Sequence, residues 1–295
     1  MPRASAPYPL AGARRAGTQP HLHASYTRDD AKRPRAAAAQ ELGYARAVLI
    51  RVEDAGALAI GQLSHAWLSG QLARAWGNER FPAPEPHEEI ALGAEQHDIG
   101  WALFDLQPRF SAKSGLPRNF LETTVQEHLS IWRDAPAHLL SQSLHAALVV
   151  SLHGRSLSEL RALSATEQAA ALEAHAEDER ARQAELCALL EVSADEAQRT
   201  QRQMWTWDGL SLALCHGWRP FTAKDVPTND GLTDVDLRDR GRRGATLDPW
   251  PFAAERVELR CEARRLERRY ADEQAMRSGF AAAQPVTLEF VLLAP

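Results

Sequence analysis

Four side chains that can bind a metal ion lie on apolar helix faces predicted from this sequence, and they are His65, His97, Asp98 and Asp208. Burying a carboxylate is costly unless the group is paired or bound to a metal. Imidazole and carboxylate ligands together suit zinc, manganese, iron or magnesium. The sequence therefore predicts a divalent metal site built from three helices, with Asp98 beside His97 on the middle one.

The inward direction of these side chains follows from the spacing of the apolar residues around them. Residues three, four or seven apart lie on one face of a helix, so a polar residue at that spacing points into the core. The apolar residues that share these faces are Leu68 and Leu72 for His65, Ile90 and Ala94 for His97, and Met204, Leu212 and Cys215 for Asp208. Each of the three helices thus directs a metal-capable group toward the interior.

Hydrophobic periodicity also predicts the elements that position these groups. Residues 47–62 alternate with a period of two on both sides of the turn Asp54-Ala55-Gly56, which predicts a β-hairpin. Helices are predicted to begin near Ser64, Pro86, Val125, Pro136 (ending at Gly154), Ser164 and Ser193 (ending at Gly217), the last two with capping boxes. Residues 105–120 are predicted to form a loop, and period-two alternation returns from Val257 onward.

These elements predict a mainly α fold, in which a helical core over residues 64–217 carries a small flanking antiparallel β-sheet. The strands come from both flanks, namely the N-terminal hairpin and a β-containing segment over residues 248–295. Residues 43–295 are expected to form a single domain. Residues 1–42 are rich in alanine, arginine and proline and have no period, which predicts a disordered tail or a start codon assigned too far upstream.

The amino-acid composition of the chain argues against some classes of function. Hydrophobic residues make up 44% of the chain and charged residues 25%, as in ordinary soluble globular proteins. The net charge of -5 gives no electrostatic case for nucleic-acid binding. No apolar run reaches the roughly 18 residues needed to span a bilayer. The three cysteines form no CxxC motif, so a reducing cytoplasm is the expected compartment.

The order His, His-Asp, Asp along the chain resembles the HD superfamily of metal-dependent phosphohydrolases. More closely, the chain resembles an uncharacterised bacterial family, a domain of unknown function with an HD-like core, in five stretches that come in order: GQLSHAWLSGQLARAWGN, EQHDIGWALFDLQPRF, SGLPRNF, ALVVSLHG and WDGLSLALC. The resemblance covers the chain from Ala47 to the C-terminus. It implies an HD-like helical bundle core and a divalent metal held by His65, His97, Asp98 and Asp208.

Further residues are candidates for the same site. Some HD superfamily members use extra histidines to hold a second metal, and His153 and His128 could play that part here. Gln62 could hydrogen-bond a ligand or cap its helix, and Trp101 could line the pocket. Three basic residues of the predicted loop could neutralise a substrate phosphate or be solvated surface charges. They are Arg109, Lys113 and Arg118.

The predicted activity is the metal-dependent hydrolysis of a phosphate ester, such as a nucleotide. The metal would activate a water molecule, and Asp98 would orient or deprotonate that water. Two alternatives are open: a di-iron oxygenase of the HD type, in which His128 and His153 complete a second metal site, and a non-catalytic module that binds a metal or a metabolite. The expected partner is a small phosphorylated molecule rather than a nucleic acid or a membrane, and the oligomeric state is open.

Overall fold

The computed structural model of the chain describes residues 48–295, apart from residues 55, 166, 167, 242 and 243. The tail or misassigned start predicted over residues 1–42 lies outside the described residues. That prediction therefore stays untested, as does the division of the chain into domains. Within the described residues, no helix is long and apolar enough to cross a membrane.

One large β-sheet is a main layer of the described part of the chain. The strands in chain order are β1 (Leu49–Glu53), β2 (Gly56–Ile60), β3 (Phe110–Ser111), β4 (Leu116–Pro117), β5 (Phe221–Thr228), β6 (Gly231–Asp239), β7 (Ala245–Asp248), β8 (Arg256–Leu266) and β9 (Gln284–Leu293). Seven of them form one sheet in the order β1-β2-β8-β9-β7-β6-β5, and β3 pairs with β4 separately. Neighbouring strands of the large sheet are antiparallel except β7 and β9, which are parallel.

The predicted fold class is wrong, because the sheet is too large to be a small flank of a helical bundle. Helices hold about 49% of the described residues and strands about 26%, and the large sheet curls into a half-barrel. The sequence prediction places no strand between residues 217 and 248, where β5, β6 and β7 form an antiparallel meander. These three strands extend the sheet beyond β9, so the two predicted flanks supply only part of it.

Eight α-helices lie among the described residues, and four of them meet at the candidate site. In chain order they are α1 (Gln62–Ala75), α2 (His87–Glu95), α3 (Ala102–Leu106), α4 (Val125–Trp132), α5 (Leu144–Ala162), α6 (Ala169–Leu190), α7 (Ala194–His216) and α8 (Glu273–Ala282). Helix α1 packs against α2, α7 and β8, and α7 packs against α5 and β5. The shared core therefore contains one layer of helices and one layer of sheet, and α1, α2, α5 and α7 meet beside the sheet.

Several local predictions are confirmed. Strands β1 and β2 pair as the predicted hairpin. Helix α7 begins with the predicted capping box, in which the side chain of Ser193 accepts a hydrogen bond from the backbone N–H of Glu196. The same helix ends at Gly217, whose φ of 73° lies in the left-handed region that glycine adopts without a Cβ penalty. The capping box predicted at Ser164 extends into residues that the structure does not describe.

The helix predicted from Pro136 to Gly154 is placed wrongly. Pro136 opens only a 3-10 turn, and α5 runs from Leu144 through Gly154 to Ala162. A Cβ at Gly154 would lie 2.9 Å from Cε3 of Trp132, so this glycine allows a close approach of the indole ring to the helix. The residue therefore serves packing inside the helix and does not mark its end.

Candidate metal centre

Five metal-capable side chains meet between α1, α2, α5 and α7, and each of these residues is at most 3% exposed. His65 lies on α1, His153 on α5 and Asp208 on α7. His97 and Asp98 lie in the turn that follows α2, not on the helix itself as the sequence predicts. The structure therefore brings together the four predicted ligands and places His153 beside them.

The donor atoms of these side chains form two overlapping groups, and the atoms of each group lie close together. Nε2 of His65 lies 2.6 Å from Oδ2 of Asp98. Nε2 of His97 lies 3.5 Å from Oδ2 of Asp98 and 3.5 Å from Oδ1 of Asp208. Two ligands that each lie about 2.1 Å from a metal, at an angle of about 90–109°, are about 3.0–3.4 Å apart. The separations bracket this range, so the residues fit a small divalent ion.

Hydrogen bonding fixes the tautomer of His97. Its Nδ1 lies 2.8 Å from the carbonyl oxygen of Ala94, so Nδ1 must carry the hydrogen that is donated there. In the neutral ring, Nε2 then carries a lone pair, and this atom is buried with no hydrogen-bond partner among the described residues. A buried lone pair that faces two carboxylates is costly without a cation between them. Nε2 of His97 is therefore the atom of the cluster that most needs a proton or a metal ion beside the two carboxylates.

Two serines orient His65 in the same way. Nδ1 of His65 lies 3.0 Å from Oγ of Ser211. The hydroxyl of Ser211 donates to the carbonyl oxygen of Asp208, and the hydroxyl of Ser69 donates to Ser211. Oγ of Ser211 is thus the acceptor for the Nδ1–H of His65, which leaves the Nε2 lone pair facing Asp98. Two acceptor atoms in such close contact need a proton or a metal ion between them.

We expect Ser211→Ala to weaken metal binding about 10–100-fold, because groups that orient a ligating histidine have effects of that size. The substitution removes the acceptor that fixes the tautomer of His65, while the ligand itself stays in place. Metal affinity is measured by competition with a chromophoric chelator. Ser156→Ala is the matched control, since it removes a buried hydroxyl that donates to Leu152 O on α5. Equal affinities for both variants and the parent would contradict the role given to Ser211.

The clustered donor atoms form two groups that share one residue. His65, His97 and Asp98 form one group of donor atoms that lie within 4.8 Å of one another, and His97, His153 and Asp208 form a second. Both groups use His97, and its Nδ1 is already bonded to a backbone carbonyl. The remaining nitrogen has one lone pair and can serve one ion at a time. The two groups of donor atoms therefore cannot both use His97 at the same time.

Comparison with known proteins places the chain in a family. Residues 48–268 match the family model described as "Protein of unknown function (DUF3891)". The chain belongs to the DUF3891 family. The matched segment includes all five clustered side chains, and the predicted membership of a domain-of-unknown-function family is confirmed. No curated protein and no solved structure matches the chain.

Burial and charge together set the protonation of this DUF3891 centre when no metal is bound. Burial lowers the pKa of His97, but Asp98 and Asp208 outweigh burial and raise this pKa to about 9. Burial raises the pKa of Asp208, but His97 outweighs burial and brings this pKa down to about 2. Burial and the neighbouring His97 lower the pKa of His153 to about 4. The metal-free centre thus holds a positive charge at the position where a cation would satisfy both carboxylates.

In the metal-free protein, we expect the free energy of unfolding to fall by about 2–3 kcal/mol as the pH rises from about 7 to about 9. The pKa of His97 is raised from 6.5 to about 9, so its stabilising effect is complete below pH 6.5 and is lost as the pH rises through 9. Urea unfolding of chelator-treated protein measures this profile. His97→Gln should flatten it, and His87→Gln, at an exposed position, should leave it unchanged. A flat profile for the parent would contradict this charge state.

Asp105 supports the helix that carries His65. Oδ2 of Asp105 accepts a hydrogen bond of 3.0 Å from the backbone N–H of Leu63, in the first turn of α1. A Cβ at Gly61 would lie 2.9 Å from the same oxygen, so glycine makes room for this carboxylate. Gln62 is 2% exposed, and its Oε1 is buried without a hydrogen-bond partner among the described residues. The side chain that caps α1 thus belongs to Asp105 and not to Gln62.

Two of the predicted pocket residues lie outside the cluster. Nε2 of His128, on α4, lies 3.0 Å from Oγ of Ser158. The ring of Trp132 packs against both His128 and His153, with centroid separations of 6.3 Å and 5.4 Å. Trp101 is 4% exposed in the 3-10 turn after the His-Asp pair, and it belongs to the hydrophobic core. The structure therefore places His153, but not His128, with the predicted ligands.

The predicted phosphate-binding residues lie on and beside the β3–β4 hairpin, inside the segment predicted as a loop. Arg109 lies 2.8 Å from Oε1 of Glu127, and Arg118 lies 3.2 Å from Oε2 of the same residue. Lys113 is exposed in the turn between the two strands. One carboxylate on α4, outside the metal-capable cluster, thus pairs with two of the three predicted cations.

Proposed function

We propose that this protein is a divalent-metal-dependent hydrolase of phosphate esters, with His65, His97, Asp98 and Asp208 as the metal ligands. The observation that carries the proposal is the buried Nε2 of His97, which faces two carboxylates and has no hydrogen-bond partner among the described residues. A divalent cation would satisfy this nitrogen and both carboxylates at once. The mixed nitrogen and oxygen ligands suit zinc, manganese, iron or magnesium.

The side chains around the ion have separate tasks in this proposal. A divalent ion here would lower the pKa of a coordinated water toward about 7 and polarise a phosphoryl oxygen. Asp98 would orient that water and accept its proton, while His65 and His97 would present lone pairs from tautomers fixed by Ser211 and by the carbonyl oxygen of Ala94. Burial, followed by the charge of His97, lowers the pKa of His153 to about 4, so its neutral ring can accept a hydrogen bond from water or substrate.

The burial of the clustered residues affects the choice between a hydrolase and a non-catalytic binding module. All five clustered residues are at most 3% exposed, so a hydrolase must open a packed segment for substrate to enter. Catalytic metal sites keep a coordination position for water, whereas structural sites are closed by protein ligands. A non-catalytic module that binds a metal or a metabolite is therefore the second candidate, and full burial of the ligands is the observation that favours it.

The geometry gives less support to a di-iron oxygenase. That reading requires a second metal held with the help of His128, whose Nε2 is bonded to Ser158. The two groups of candidate donor atoms also share His97, whose one free nitrogen can bind only one ion at a time. We therefore propose one metal per chain.

The finer parts of the family resemblance belong to the same proposal. We propose an HD-like core on the ligand order His65, His97-Asp98, Asp208 alone, and the bacterial family stays part of the proposal. Small phosphorylated molecules are the proposed partners. A reducing cytoplasm is proposed as the compartment, because the described cysteines are all free thiols.

The test is a metal count on protein purified without added metal, followed by a phosphate-release assay. The assay uses nucleotides and sugar phosphates, with manganese, magnesium, zinc and iron supplied in turn. We expect one metal per chain and release from at least one substrate class. If folded, metal-loaded protein releases no phosphate, the hydrolase proposal is wrong and the non-catalytic binding module becomes the better candidate. Two irons per chain would favour the oxygenase instead.

A further inference from the structure

A cavity of about 320 Å³ lies between α3, β8 and α8, and the five clustered metal-capable residues do not line it. Pockets for small molecules typically measure about 300–1,000 Å³, so this cavity can hold a compact ligand. Two arginines line the cavity, Arg264 from β8 and Arg277 from α8. Such a pairing of cations from two separate elements is suited to an anionic group.

Arg264 is held in a fixed position at the cavity. Its guanidinium carbon lies 5.3 Å from the ring centroid of Phe280, a distance typical of a cation–π contact. Its NH1 donates to the carbonyl oxygen of Ala283. This bond uses one of the five N–H donors of a guanidinium group, and the planar fork can bind a carboxylate or a phosphate with two parallel bonds. Arg264 is thus oriented before any ligand arrives.

Arg277 can add a second charge without breaking the fold. It pairs with Glu273 one turn earlier on α8, and both side chains are about half exposed (51% and 50%). Exposed ion pairs of this kind contribute little to stability, because water screens them. The guanidinium can therefore turn toward an anion in the cavity with little cost to the helix.

The remaining wall accepts an anion with an apolar body. Leu106, Pro108 and Phe280 supply apolar surface, and Leu106 is 74% exposed at the cavity edge. Asp105 also lines the cavity and would repel an anion when ionised. Burial raises its pKa to about 7, although backbone N–H groups of Leu63 and Gln62 oppose that rise. Near neutral pH, a large share of Asp105 is therefore uncharged.

We propose that this cavity binds a small anionic molecule with an apolar body, whose carboxylate or phosphate group pairs with Arg264 and Arg277. The site is separate from the metal centre and does not depend on the hydrolase activity. Asp105 lines the cavity and also caps the helix that carries His65, but none of the clustered metal-capable residues touches the cavity.

Calorimetric titration with phenylphosphonate and benzoate tests the proposal, with benzyl alcohol as the uncharged counterpart. We expect at least one anion to bind with a Kd of about 1 mM or tighter, and benzyl alcohol to bind far more weakly. The anion that binds more tightly shows which of the two groups the cavity prefers. Titrations of metal-loaded and chelator-treated protein should agree, because the cavity does not contain the metal ligands. Binding that disappears with the metal would assign the anion to the metal centre and overturn the proposal.

Substitutions at the cavity distinguish anion binding there from anion binding elsewhere on the protein surface. Arg277→Gln, on an exposed helix face, should weaken anion binding at least about tenfold through the loss of a charge-assisted hydrogen bond. Arg264→Lys keeps the charge but removes the planar fork and should also weaken binding, with the fold checked by circular dichroism. Arg256→Gln is the matched control, because Arg256 lies at the other end of β8 and pairs with Glu258. Full affinity in both cavity variants, or no binding of either anion to the parent, would overturn the proposal.

Discussion

Asp98→Ala should abolish both metal binding and phosphate release in folded protein. The carboxylate contacts Nε2 of His65 at 2.6 Å and faces Nε2 of His97 at 3.5 Å, so its loss removes one donor and the negative charge beside two others. Metal ions supply several kcal/mol of transition-state stabilisation, so the rate should fall at least about a thousandfold. Elemental analysis and phosphate release, measured on the same samples, test both effects.

Two further variants control for loss of structure. Asp98→Asn keeps the size of the side chain but offers a neutral and poorer ligand oxygen, so it should also lose metal while its circular dichroism stays that of the parent. Asp134→Ala removes an exposed carboxylate after α4 and should change neither metal content nor rate. Activity that survives in Asp98→Ala would mean that the reaction occurs at another site or in a contaminant.

The fold was predictable where local signals decide the structure. The hairpin β1–β2 and the helix α7 follow from residues that are close in sequence, such as the turn at residues 54–56 and the capping box at Ser193. The large sheet depends on pairings over long distances, since β2 lies beside β8 with Ala57 opposite Leu266. No local pattern shows that strands so far apart in the chain share one sheet.

The missed meander had a readable signal. Val235 and Leu237 are buried and alternate with charged residues on β6, and Thr228 pairs with Gly231 across a two-residue turn. Alternation flanking an Asn-Asp-Gly turn is typical of a β-hairpin. Pro227 and the register shift between Ala223 and Val226 interrupt the alternation on β5, which obscures the first strand of the pair.

The residues of the candidate cluster could be predicted from the sequence, but not all of the residues that hold them in position. Helical phase alone brings His65 and Asp208 inward, and the same reasoning would have found Ser211, three residues after Asp208 on the same helix. The sequence around Asp105 gives no such signal. Its carboxylate accepts a hydrogen bond from the backbone N–H of Leu63, which lies in a different segment of the chain. A cap contributed from elsewhere in the chain is a tertiary contact and leaves no local pattern.

Removing the metal should lower the melting temperature by about 5–10 °C at pH 7, and returning it should restore the parent value. A ligand present at a hundredfold excess over its Kd stabilises the folded state by about 2.7 kcal/mol, and each kcal/mol shifts the melting temperature of a chain of this size by about 2–4 °C. Differential scanning calorimetry before and after chelation measures the shift. Asp208→Asn should show a smaller response, because a neutral amide oxygen is a weaker ligand.

The fall in melting temperature on metal removal should be larger at pH 9 than at pH 7. This difference tests the arrangement of charges at the centre. At pH 7 the metal-free centre keeps a proton on His97, whose pKa is raised to about 9, against the effect of burial, by Asp98 and Asp208. That proton partly replaces the missing metal charge. As the pH approaches 9 the proton is lost, the two buried carboxylates face no cation, and the metal-free protein becomes less stable. A metal-dependent shift that is the same at both values would show that the metal binds away from His97.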